Sequence, residues 1–94
     1  DQKIEFAQLI LEGLGGKDNI EDVTNCATRL RVSVKNAALV KETEYFKQNG
    51  AHGLVKNGNA LQVIVGLSVP TVREEFEKLL QEQEVGGDLY EKKI

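Results

Sequence analysis

A disulfide is the first thing this sequence excludes. Cys26 is its only cysteine, so no internal cross-link can hold the fold, a usage that suits a reducing compartment. No apolar run approaches the roughly 20 residues needed to span a bilayer. Positive charge is not in excess either: 12 Lys and Arg stand against 15 Asp and Glu, for a net charge of -3. That balance argues against a general nucleic-acid surface, which needs clustered cations. Internal repeats and low-complexity tracts are lacking. The chain opens at Asp1 with neither a methionine nor a charged-then-apolar leader, which leads to the expectation of a piece cut from a longer protein and carrying no secretory signal. What is there suffices for one domain: 94 residues, 40% of them hydrophobic, can build a single, thin core.

Ile4, Ala7, Leu11 and Leu14 recur at helical spacing, and Gly13, Gly15 and Gly16 stop that pattern. From Ile20 to Asn25 the apolar pair Ile20 and Val23 stands three apart, which fits an irregular strand better than a short polar helix. Arg29 to Lys35 alternates cleanly: Leu30, Val32 and Val34 fall on one face, and Arg29, Arg31, Ser33 and Lys35 on the other. Val40 to Gln48 reads as a short helix closed by Asn49-Gly50. Gly53 to Lys56 and Ala60 to Gly66 flank Asn57-Gly58-Asn59, a hairpin signal. Ser68 and Pro70 suit the start of a last helix on Val69, Val72, Phe76, Leu79 and Leu80. Residues 1–84 are expected to form the domain, with 85–94 as a C-terminal linker or tail. The order is α-β-β-α-β-β-α, which predicts an α+β fold: a four-stranded, mainly antiparallel open sheet covered on one face by three helices.

That architecture gives the cysteine its chemical setting. If Leu30, Val32 and Val34 face the helices, Arg29 and Arg31 lie on the uncovered side, roughly 6.6 Å apart along the strand, and Cys26 sits at the turn before them. Adjacent cations and backbone N–H groups lower a thiol pKa, and the thiolate is the attacking form. The same guanidinium pair can hold the oxygens of a phosphoryl group, whose transfer depends mostly on positioning and charge complementation. Thr28 adds a hydroxyl donor and the turn adds backbone amides. No metal or other cofactor is required.

Asn19-Ile20, then Cys26-Ala27-Thr28-Arg29-Leu30-Arg31-Val32 and Val34, resemble the enzyme IIB domain of the glucose and glucoside family of the bacterial sugar phosphotransferase system. Leu14-Gly15-Gly16 upstream, and Gly50, Gly53 and Gln62-Val63-Ile64-Val65-Gly66 downstream, carry the likeness over nearly the whole chain. The resemblance implies that Cys26 is the nucleophile and phosphoryl carrier, with Arg29 and Arg31 as the anion-stabilising pair. It also implies the partners: a IIA domain whose phosphohistidine supplies the phosphoryl group, a IIC membrane domain, and the sugar held there as final acceptor. The setting so implied is a cytoplasmic domain of a cell-membrane permease. The surface around Cys26 is then expected to be exposed and fairly flat, with Ile64 and Val23 as apolar neighbours.

Two other functions fit the same residues. One is a non-catalytic anion-binding regulatory module in which the arginines act and the thiol is incidental. The other is a redox-sensing thiol, although no second cysteine is present to resolve a sulfenic acid. His52 reads as a polar turn residue, and Asp18, Glu21 and Asp22 as a solvated loop. The glycines at 13, 15 and 16 follow a helix instead of opening one and lack the Lys-Ser/Thr ending of a phosphate-binding loop.

Overall fold

In the computed structural model, which describes the backbone of residues 2–93 and the side chains of residues 2–81, the chain forms seven regular elements with two 3₁₀ turns between them. Helix α1 is Gln2–Gly13, strands β1 and β2 are Ile20–Asn25 and Arg29–Val34, and helix α2 is Thr43–Gln48. Strands β3 and β4 are Gly53–Asn57 and Ala60–Ile64, and helix α3 is Val69–Lys93. The 3₁₀ turns are Lys17–Asn19 and Ala37–Leu39. The strand order is β1-β2-β4-β3, antiparallel throughout. The α+β architecture expected from the sequence is the one observed.

Strand alternation sets the two faces. Leu30, Val32 and Val34 are at most 2% exposed and pack with Leu61 and Val63 of β4 against the helices. Ala7, Ile10 and Leu11 come from α1, Phe46 from α2, and Val69, Val72 and Phe76 from α3. The odd spacing of Ile20 and Val23 is resolved by a shift of register between Ile20 and Asp22. This bulge inserts one extra residue and lets both apolar side chains reach the core side. Val23 is buried and pairs with Val32.

Three local readings shift. The helix expected from Val40 starts only at Thr43, because Ala37–Leu39 forms a 3₁₀ turn capped by the Asn36 side chain. The β3–β4 turn centres on Gly58-Asn59, one residue later than the Asn-Gly dipeptide, with Gly58 at φ 61° in the first loop position, as a II′ turn requires. Helix α3 runs on to Lys93, past the Glu84 boundary expected from composition. The side chains of the expected linker or tail, 85–94, lie outside the described residues.

Gly13 allows α1 and α2 to approach. A Cβ there would fall 2.5 Å from Tyr45 Cε2 and 2.7 Å from Phe46 Cζ. These two rings meet edge to face at 5.3 Å, and Tyr45 Oη donates to the Leu9 carbonyl at 2.7 Å. Gly13→Ala is therefore expected to cost about 1–3 kcal/mol by overpacking. Thermal unfolding should show it, at roughly 4–8 °C per kcal/mol for a domain of this size; an unchanged midpoint would mean the rings move aside freely.

Candidate functional site

The tight turn between β1 and β2 places Cys26 at one end of the sheet, half-buried and unpaired. The Cys26 N–H donates to the Arg29 carbonyl at 3.0 Å, which closes the hairpin. On the other side of the turn, the Thr28 carbonyl accepts from both Val65 N–H, at 3.0 Å, and Gly66 N–H, at 2.8 Å. Because β2 lies between β1 and β4, the turn is held from both flanks.

Several donors converge on the thiol and hold its pKa below that of an ordinary cysteine. The largest effect is the Thr28 N–H donating to the sulfur, partly opposed by desolvation, followed by the Arg29 N–H and then the charge and side-chain hydrogen bond of Arg31. Each favours the thiolate over the thiol. The two arginines therefore act differently. Arg31, exposed on the open face, acts on the sulfur through its guanidinium. Arg29 acts on it through its backbone, while its Nη1 donates to Gln62 Oε1 at 2.9 Å. They share the open face, as the alternation predicts, with the Arg29 guanidinium moored on Gln62 and that of Arg31 beside the sulfur. Thr28 likewise contributes its main chain to the site.

Ile64 stands opposite Arg29 in the ladder and is half-buried beside the site, as expected. Val23, also expected there, instead lies on the core face for the reason given by its pairing with Val32. His52 is exposed; its N–H donates to the Ile64 carbonyl at 2.8 Å, and its ring approaches Gly66. Among the described residues, no group of His, Cys, Asp and Glu is arranged to hold a metal ion, and no helix is long and apolar enough to cross a membrane.

Three residues at the site were not identified by sequence reasoning alone. Gln62 holds the Arg29 side chain from the neighbouring strand, and only the β2–β4 register, Arg31 opposite Gln62, could have placed it. Asn25 and Arg73 meet on the helix side of the turn, Nη1 to Oδ1 at 3.0 Å, across 48 residues of sequence. No local pattern signals that pair.

Residues 8–40 match the family model described as phosphotransferase system, EIIB. An alpha-glucoside-specific EIICB component of the phosphotransferase system of Fusobacterium mortiferum is 62% identical over 76 residues, which cover 81% of this chain but 14% of the length of that protein. The N-acetylglucosamine-specific EIIB component of Streptomyces coelicolor is 45% identical over 74 residues, covering 79% of this chain and 95% of that protein. The crystal structure of one domain of the phosphotransferase system IIabc component from Clostridium difficile superimposes with a TM-score of 0.73 at 30% sequence identity, over 82% of this chain and 81% of that one. By sequence and by fold, the chain belongs to the enzyme IIB family of the sugar phosphotransferase system.

Proposed function

We propose that this chain is the phosphoryl-carrier domain of a sugar phosphotransferase permease, with Cys26 as the carrier. The observation that carries the reading is a turn, held by the Cys26 N–H on the Arg29 carbonyl and by Val65 and Gly66 on the Thr28 carbonyl, that gathers two consecutive backbone N–H groups and the Arg31 guanidinium about one half-buried thiol. Donors that stabilise a thiolate also suit the oxygens of a phosphoryl group bound to it. In the first step the Cys26 thiolate attacks the phosphorus of a phosphohistidine on a IIA domain; the S–P bond forms, the P–N bond breaks, and the electron pair returns to the imidazole. In the second, a sugar hydroxyl oxygen attacks the phosphorus, the S–P bond breaks, the thiolate is restored and the hydroxyl proton is lost to solvent or a base.

The acceptor sugar is held by a IIC membrane domain, with this domain on its cytoplasmic side. The 62% identical relative is named as an EIICB component specific for alpha-glucosides, which favours a glucoside as acceptor and a IIC domain as the direct partner. Tethering to that domain would raise its local concentration and sustain turnover without tight binding.

Intact mass after incubation with a phosphorylated IIA domain tests the reading. One phosphoryl group should be added to the wild-type chain and none to Cys26→Ser. Uptake that survives Cys26→Ser would overturn the assignment, and no uptake by the wild type would favour the anion-binding module instead.

A further inference from the structure

In a regular two-residue hairpin the closing residues exchange two backbone hydrogen bonds. At the Cys26 turn one is made in that way, from Cys26 N–H to the Arg29 carbonyl. The reciprocal bond, from the Arg29 N–H to the Cys26 carbonyl, is not made, and the Arg29 N–H contributes instead to lowering the pKa of the thiol. The Cys26 carbonyl that would have received it is taken by Asn25 Nδ2 at 2.9 Å.

Asn25 ends β1, opposite Leu30, and so lies on the helix side of the sheet. There its Oδ1 accepts from Arg73 Nη1 at 3.0 Å. Arg73 is held in turn by Glu77 one helical turn on, with Nε and Nη2 each 3.2 Å from Oε2. A guanidinium can only donate. Its presence therefore fixes which way the Asn25 amide faces: oxygen toward Arg73, nitrogen toward the Cys26 carbonyl.

We propose that Asn25 and Arg73 are positioning residues for Cys26: Arg73 sets the orientation of the Asn25 amide, the amide fixes the direction of the Cys26 carbonyl, and the peptide plane so held keeps the turn in the form that sets its backbone N–H groups beside the sulfur. The significance for phosphoryl transfer rests on the reading of Cys26 as carrier; the effect on the thiol does not. The charged groups around the turn are Asp22 from β1, Arg29 and Arg31 from β2, and Arg73, Glu74 and Glu77 from α3, with His52 titratable just before β3. Asn25→Ala changes none of these charges, so any change in the thiol reports hydrogen-bond geometry.

The pH dependence of iodoacetamide alkylation of the sole thiol provides the readout, with thermal unfolding run alongside. In Asn25→Ala the Cys26 carbonyl loses its anchor and is free to turn toward the Arg29 N–H, so the alkylation midpoint should move to higher pH and the rate at neutral pH should fall roughly threefold. Arg73→Ala, at a side chain 35% exposed, should shift it the same way by less. Arg73→Lys, which still only donates, should stay near wild type. An unshifted profile in a folded Asn25→Ala overturns the proposal. Should that variant fail to fold, an unshifted Arg73→Ala does the same. Phosphoryl uptake from a phosphorylated IIA domain should fall in parallel; a shifted alkylation profile in a chain whose wild type takes up no phosphoryl group would uphold the positioning role and sink the carrier reading alone.

Discussion

Arg31→Ala is expected to slow phosphoryl uptake by Cys26 about 10²–10³-fold, the usual cost of removing one preorganised donor from a developing anionic centre. Arg31 is the one side chain whose charge and hydrogen bond both act on the sulfur. Its position on the open face means that no core contact is lost with it. Thermal unfolding should therefore stay within about 0.5 kcal/mol of wild type, which separates a chemical defect from a structural one. The sign of the pH effect follows from the direction of the thiol shift. A lowered pKa keeps the thiolate populated until pH falls through that pKa, so uptake is lost on the acid side; in Arg31→Ala the loss begins at higher pH. Arg31→Lys should restore the alkylation profile more fully than uptake, because a point charge still favours the thiolate but does not reproduce a planar fork. Arg29→Lys should impair uptake as well, since a lysine cannot both present that fork and stay moored on Gln62. Single-turnover transfer from a phosphorylated IIA domain measures all three, and a wild-type rate in Arg31→Ala would refute its role.

The second large effect is on stability. Asn19 is 3% exposed and makes three side-chain hydrogen bonds: Nδ2 donates to the carbonyls of Leu14 at 2.8 Å and Asn36 at 3.1 Å, and Oδ1 accepts from Asn36 N–H at 2.9 Å. Its own carbonyl accepts from Lys35 N–H at 2.9 Å. One side chain thus ties the chain leaving α1 to the end of β2. Asn19→Ala leaves the buried Leu14 carbonyl and two part-buried Asn36 backbone groups without this partner, and with a cost of about 1–3 kcal/mol for a buried loss and less for the part-buried ones, a total on the order of 3 kcal/mol is expected. The unfolding midpoint should drop by more than about 10 °C. Asn19→Asp should be no better, because it sets an oxygen against two carbonyl oxygens. Asn19 adjoins the start of β1 and Cys26 follows its end, so alkylation of the folded protein should keep its wild-type pH profile. A midpoint within a couple of degrees of wild type would show that water or neighbouring groups replace the network.

Asn19 also shows where a sequence stops being readable. The residue carries the family resemblance as part of Asn19-Ile20, but its partners are 5 and 17 positions away and belong to turns without periodicity. By contrast, Leu30, Val32 and Val34 were legible because a strand exposes its two faces at a period of two. The bulge in β1 left a trace, the three-residue interval between Ile20 and Val23, which marks irregularity without saying where the extra residue sits. At the site, the identity of Cys26 and the shared face of the two arginines were accessible from local pattern. The division of labour between those arginines was not, because it depends on Gln62 in a strand that follows by some thirty residues. Arg73 was harder still: on α3 it reads as one more charge on a water-facing surface, until the fold brings Asn25 to it.

The Thr28 carbonyl, which receives two N–H groups from the segment just after β4, has one further implication. Every group acting on the sulfur lies between Thr28 and Arg31, yet the turn that carries them is moored to Val65 and Gly66. A fragment ending after Lys41 would hold the entire reactive motif and lack the strand that shapes it. Such a fragment mixed with residues 42–94 should recover a reactive thiol only as the two pieces associate, which makes the cysteine a reporter of whether the halves of the sheet have met.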